Sequence, residues 1–117
     1  MLLRAAEPLG GVGAMQAVRG TAVRDLCRGP ARLAQALGLA GPDNGRRLSV
    51  SARRRSAVGA VTVLDDGVAP PAPAAVGPRV GISRAADVPW RFWVPGSPWV
   101  SAFRPGRAAR SGVPASR

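Results

Sequence analysis

Few residues of this chain have side chains able to do chemistry, and they are scattered. The six acids are Glu7, Asp25, Asp43, Asp65, Asp66 and Asp87. Glu7 and Asp25 stand alone, one in a turn and one at a helix start. Asp65 and Asp66 are adjacent, so in a strand their carboxylates would face opposite ways; as a turn pair they are solvated. There is no histidine, which excludes histidine-based nucleophile systems. Cys27 is the only cysteine. It has no partner for an intrachain disulfide, and without His or a second Cys no zinc set can be assembled. It reads as a small, half-buried apolar side chain. Gly10, Gly11 and Gly13 resemble a phosphate-cradling loop only loosely, and no Lys follows them.

Three features remain. Arg4 lies between a short apolar segment and a turn, where a guanidinium reaches either a pocket or solvent. Gly29-Pro30 opens a helix whose free N–H groups form a natural anion site, with Arg28 and Arg32 beside it; the alternative is an ordinary capped helix with solvated arginines. Trp90, Trp93 and Trp99 have faces that stack on bases, but in a chain with 4% aromatics they serve better as core anchors.

These residues need elements to position them. Met1 to Leu9 reads as a short apolar strand ending in a Glu-Pro turn. Residues 10–14 read as flexible, and Met15 to Val23 as weakly helical at best. The best local signal predicts a helix over about 30–37. Pro30 suits the first turn, Leu33, Ala34 and Leu37 share a face with it, and Gly38 fits a left-handed cap onto which Leu39 folds back. Residues 41–45 are a turn. Arg46 to Ala60 carries five Arg and no acid, and shows no periodicity. Val61 to Leu64 is a strand stopped by Asp65-Asp66-Gly67. Residues 70–78 form an extended Pro/Ala connector. Arg79 to Ile82 is a short strand, and Asp87-Val88-Pro89 a turn. Trp90 to Val94 alternates as a strand, with Trp90, Phe92 and Val94 on one face and Arg91 and Trp93 on the other. Trp99 to Phe103 is a last strand, expected to pair with 90–94 as a hairpin across the Pro95–Pro98 turn. From Arg104 on, the composition predicts a disordered tail.

Length and composition bound the whole. A chain of 117 residues suits one small domain. All 17 basic residues are Arg, and with six acids they leave a net charge of +11. Such a chain is drawn to phosphate backbones or anionic lipid, although many Arg-rich segments are merely solvated. Gly and Pro number 15 and 12, close to the range where disorder is a fair expectation, so a well-packed core made by this chain alone is not expected. No apolar run is long enough for a transmembrane helix, and the opening residues are too short and interrupted for a signal peptide. The default location is the cytoplasm.

The same segments resemble the 3-methyladenine (alkyladenine) DNA glycosylases. Leu2-Leu3-Arg4-Ala5-Ala6-Glu7-Pro8-Leu9 resembles that family's "LLRAxEPL" strand and turn. Arg24 to Leu39 is similar to its "L-x-x-GP-x-[KR]-L-x-x-ALG" helix, with Asn44-Gly45 in the following turn. Pro78 to Ile82 resembles "PRVGI", and Pro89 to Val94 with Gly96 to Ser101 resembles the closing "PxRFxxxGSPWVS" hairpin. The pieces occur in family order, cover about two-thirds of the chain, and all belong to the family's C-terminal half. Residues 46–60 have no counterpart, and Pro95 stands where a basic residue is common.

The resemblance implies an α+β fold: part of a single mixed domain with a curved antiparallel sheet and few helices, spanning 1–104, with 46–60 a divergent loop and 105–117 a disordered tail. It implies a base-excision repair enzyme that flips a damaged purine out of duplex DNA. A Glu then activates water to hydrolyse the N-glycosidic bond, without metal or cofactor. Arg4 matches the arginine that helps hold this water, and Val80 the position whose carbonyl faces it. Arg28, Gly29, Pro30 and Arg32 match the helix start near the DNA-binding face. The catalytic Glu, the intercalating Tyr and the pocket's Tyr and His fall upstream of Met1 in the family pattern, and Glu7 belongs to the "EP" turn. The expectation is therefore a truncated glycosylase, inactive alone. The alternative is a non-catalytic, basic DNA-binding remnant. The partner in both is duplex DNA, with damaged purines in the first. The protein is expected to be a cytoplasmic monomer of bacterial type, nucleoid-associated when bound, with no membrane and no small-molecule cofactor.

Overall fold

A computed structural model describes residues 1–51, 61–85 and 87–104. The architecture is α+β, with two short helices, two 3-10 turns and two small sheets among the described residues. Helix α1 spans Val12–Arg19 and α2 spans Pro30–Ala36. Strands β1 (Ser49–Ser51) and β2 (Thr62–Leu64) pair in parallel, and β3 (Ala75–Gly77) and β4 (Arg91–Trp93) pair antiparallel.

α2 forms where its sequence predicts, and its end shows why. Pro30 occupies the first turn. Gly38 has φ 68°, and its N–H donates to the Gln35 carbonyl at 3.1 Å while the Leu39 N–H donates to Ala34 at 2.9 Å. This pair of bonds is the Schellman closure, which needs a residue at ease in the left-handed region. Leu33 and Ala34 are half-buried, whereas Leu37 stays exposed. α1 is a correction. The segment read as flexible at 10–14 and weakly helical after it forms two turns from Val12 onward. Glycines bound it at both ends, Gly11 and Gly20, each left-handed. Val12, Met15 and Arg19 are its half-buried stripe.

Arg19 joins the helices. Its Nε donates to Gln35 Oε1 at 3.2 Å, and its Nη1 donates to the carbonyls of Asp25, at 2.7 Å, and Leu26. Leu26 and Cys27, beneath this clasp, are the buried apolar residues of the described chain.

Other expectations also change. Residues 1–9 contribute only an isolated antiparallel bridge, Ala5 to Arg28, with Ala6 N–H donating to Cys27 at 3.4 Å. Ser49–Ser51 is a strand inside a stretch read as featureless, and Ser49 Oγ lies 2.7 Å from Thr62 Oγ1 across the pair. Arg79 to Ile82 is bent, with Gly81 at φ 71°; the strand lies earlier, in the segment read as a connector. Trp99 to Phe103 is not a strand, so the expected hairpin is absent. β4 pairs instead with β3, in the register Ala75–Trp93, Val76–Phe92 and Gly77–Arg91. The turn at Asp65-Asp66-Gly67 is as expected, the two carboxylates accepting from Gly67 N–H at 2.9 Å and Val68 N–H at 3.0 Å. Residues 52–60 and the tail 105–117 lie outside the described residues. No helix among the described residues is long and apolar enough to cross a membrane.

Candidate functional site

The alternation of β4 decides which of its side chains turn inward. Gly77, opposite Arg91, has no side chain, and an added Cβ there would sit 3.0 Å from the Trp93 ring. The indole therefore lies over Gly77, and Arg91 lies over the indole, its guanidinium carbon 4.8 Å from the ring centroid. Arg91 is the buried charged residue of the described chain, 8% exposed. Among the described residues no carboxylate pairs with it. Its Nη2 donates to the Ser101 carbonyl at 2.5 Å, and the ring face supplies a cation–π contact, a term of about 0.5–2 kcal/mol.

The neighbouring carbonyl of the same segment is also engaged: Arg28 Nε donates to Val100 at 3.1 Å. Two guanidinium groups thus hold adjacent peptides of the closing segment. The bridge between Ala5 and Arg28 brings the first segment alongside, and Arg4 is close enough to repel Arg91. Burial pushes the Arg91 pKa below the usual guanidinium value, and the charge of Arg4 lowers it further. Arg4 is half-buried, with no hydrogen bond or ion pair among the described residues. A half-open cleft of about 180 Å³ adjoins Arg91, lined also by Trp93, Ser97, Val100 and Phe103.

Of the two residues expected to position water, Arg4 lies next to the Ala5–Arg28 bridge. Val80 is half-buried in the bend after β3, and no described hydrogen bond connects it to Arg4. The expected DNA-binding group stays together at the start of α2, with Gly29 as its N-cap. Asp25 partly neutralises that group, pairing with Arg32 at 2.8 Å and more loosely with Arg28 at 3.9 Å. Trp93 and Trp99 are half-buried, in keeping with an anchoring role, but Trp90 is exposed. Sequence reasoning gave no role to Arg91 or Arg19. For Arg91 one signal was present: it shares the Trp93 face of an alternating strand. Among the described residues, no three His, Cys, Asp or Glu side chains come together as a metal site.

An α+β chain that gathers arginines without matching acids has the surface chemistry of proteins that meet polyanions. Its relatives are specific. The family model described as methylpurine-DNA glycosylase matches residues 1–98, and the chain belongs to that family. Proteins carrying the name 3-methyladenine DNA glycosylase are similar to it. The one from Burkholderia orbicola is 50% identical over 107 residues, covering 90% of this chain and 49% of the relative. Those from Nocardia farcinica and Rhodococcus jostii are 45% and 42% identical, covering 89% and 95% of this chain and 47% of each relative. The chain thus spans about half the length of the curated relatives it matches.

Proposed function

We propose that the protein serves base-excision repair as part of a DNA glycosylase that hydrolyses the N-glycosidic bond of alkylated purines in duplex DNA. The observation that carries this reading is the family match over residues 1–98. In it, the Arg4 guanidinium and the Val80 carbonyl position the attacking water, and Arg28, Gly29, Pro30 and Arg32 face the DNA backbone. The half-buried Arg4, without a hydrogen bond or ion pair among the described residues, supports a site that accepts an anionic or electron-rich group there. The working protein acts on DNA in the cytoplasm, on the nucleoid when bound, as one copy and without a cofactor.

Residues 1–117 alone do not excise bases in this reading. Arginine stays protonated and a carbonyl is far too weak a base, so neither deprotonates water. The family pattern's Glu, Tyr and His have no counterpart in a chain without His or Tyr, and loss of a general base costs about 10²–10⁴-fold.

A chimera tests both statements. Residues 1–98 replace the matching segment of the Burkholderia orbicola relative, and release of 3-methyladenine or hypoxanthine from duplex DNA is measured. The chimera is expected to turn over, the isolated chain not, and Arg4→Ala in the chimera to slow release by about 10²-fold through misplaced water. Release by the isolated chain that vanishes on Arg4→Ala would place the catalytic centre in these residues. A second reading, a non-catalytic DNA-binding protein, is favoured by the +11 charge; a chimera that binds DNA but excises nothing, beside an active parent, decides for it.

A further inference from the structure

A series of contacts runs from β4 to the first segment of the chain. The Arg91 guanidinium, lying over the Trp93 ring, donates through Nη2 to the Ser101 carbonyl. The preceding carbonyl, that of Val100, accepts from Arg28 Nε at 3.1 Å, a bond between residues 72 apart in sequence. The backbone of Arg28 is bridged to Ala5, and beside that bridge the Ala6 N–H donates to the Cys27 carbonyl at 3.4 Å. Ala5 is the neighbour of Arg4. Val100 and Ser101 lie in no helix or strand, so no ladder fixes their carbonyls. Two guanidinium groups grip them instead, Arg91 from the sheet and Arg28 from the start of α2.

We propose that Arg91 is a positioning residue: through the Ser101 and Val100 peptides and Arg28 it sets where Arg4 stands, and it touches neither DNA nor water itself. At 8% exposure its guanidinium has no free reach to a phosphate. A planar fork stacks on an indole and donates to a carbonyl at the same time, and a charged donor makes the stronger kind of hydrogen bond. The brace is therefore stiff at its β4 end. At its other end the Ala5–Arg28 bridge is isolated, so the first segment has little pairing of its own and takes its place from what holds Arg28. The proposal rests on the reading that Arg4 positions the attacking water.

The test has two readouts, and the first needs no catalysis. In the full 117-residue chain, hydrogen exchange is followed at the Ala6 amide, far from Arg91 in sequence. Arg91→Leu is expected to speed it severalfold while circular dichroism is unchanged. Arg91→Lys, which keeps the charge but not the fork, should do the same. The second readout is release of 3-methyladenine by the chimera described above. Misplacing a reacting group by about 1 Å can cost about 10²-fold, so Arg91→Leu, which loosens one of two grips, should lower kcat by about tenfold. KM and the salt dependence of DNA binding should stay as they were. Adding Arg91→Leu to Arg4→Ala should slow release no further, because residues that act as a unit are not additive. Unchanged exchange at Ala6 overturns the proposal. So do losses that multiply in the double variant, a weaker salt dependence in Arg91→Leu, which would make Arg91 a phosphate contact, or parent-like behaviour of Arg91→Lys, which would leave only its charge at work. A chimera inactive before any substitution refutes the glycosylase reading, and the exchange at Ala6 still decides whether Arg91 sets the first segment.

Discussion

Arginine meets three different surroundings among the described residues, and its contacts tell them apart. Arg19 clasps two carbonyls beside Leu26 and Cys27, Arg91 holds Ser101 from under the sheet, and Arg4 is left without a hydrogen bond or ion pair among the described residues. Sequence alone does not separate them, because the type is the same at all seventeen positions; the difference is what each guanidinium meets across the fold. Arg4 was singled out by its place at the end of an apolar segment, whereas the role of Arg91 depends on Ser101, ten residues away, and on Gly77 in another strand. Replacing Arg91 by Leu removes a charge-assisted hydrogen bond, whose loss typically costs about 1.5–3 kcal/mol, offset in part by relief of burying a charge. Faster hydrogen exchange over residues 99–103 is the expected readout. Arg91→Lys should not restore protection, since an ammonium lacks the planar fork that stacks and donates together; full protection in either variant would show that the closing segment is held by something else. Cys27 offers a pH test. Its thiol is 2% exposed, and burial pushes its pKa up, against a smaller opposing pull from Arg19. The folded pKa therefore lies above the unfolded one. The stability it contributes is fully present below the unfolded value, about 8.5, and is lost as pH rises through the folded value. Urea unfolding should show a less stable chain at alkaline pH, and a thiol reagent at neutral pH should react much more slowly than with free cysteine. Equal rates would mean that the Leu26–Cys27 region is open.

At the scale of elements, what was legible was local. α2 carries its own start and stop, with Pro30 in the first turn and Gly38 closing the Schellman bonds, so the reading of 30–37 needed nothing distant. The turns at 41–45 and 65–67 are set by their own Asp and Gly residues in the same way. Strand pairing was not legible. The two runs nearest in sequence, 90–94 and 99–103, invited a hairpin, but Arg91 reaches across to the second run and holds it by a side chain, and the backbone of β4 pairs with Ala75–Gly77. That partner was hidden in a Pro/Ala-rich stretch with no alternation to announce it. Gly77 fits there because the Trp93 ring takes the space that a Cβ would fill. Gly77→Ala would place a Cβ 3.0 and 3.2 Å from two ring carbons. The indole is rigid, so ring or strand must shift, and overpacking of this kind costs about 1–3 kcal/mol. The displaced ring would also disturb Arg91 above it. The expected outcome is a shifted tryptophan emission together with faster exchange at Ser101, measured in one sample. A change in emission alone would mean that Arg91 does not depend on the ring for its position.

At the scale of the molecule, charge and apolar surface point in different directions. The apolar residues left exposed, Leu2, Leu3, Trp90 and Phe92 among them, are open to apolar contact, while the arginines are open to phosphate. Six acids cannot neutralise seventeen arginines, and the ion pairs described involve only Asp25 and Asp43. Most of the positive charge therefore remains available to a polyanion. Binding of this sort releases counterions condensed on the DNA, so its affinity falls linearly, in logarithms, with salt. If roughly four arginines meet phosphates, the slope is about −3.6, and affinity drops by roughly 10²-fold between about 50 and about 200 mM salt. The contacts are to the backbone, so scrambled duplexes should bind alike. Fluorescence anisotropy of a labelled duplex, titrated at several salt concentrations, measures the slope. Arg32→Ala and Arg28→Ala should each reduce it by less than a full phosphate contact, because Asp25 already shares their charge, whereas Arg4→Ala, at the water site of the proposed reading, should leave the slope nearly unchanged. A slope near zero, with affinity unchanged across that range, would mean that the arginines are solvated rather than engaged, and that the DNA-facing reading of this surface is wrong.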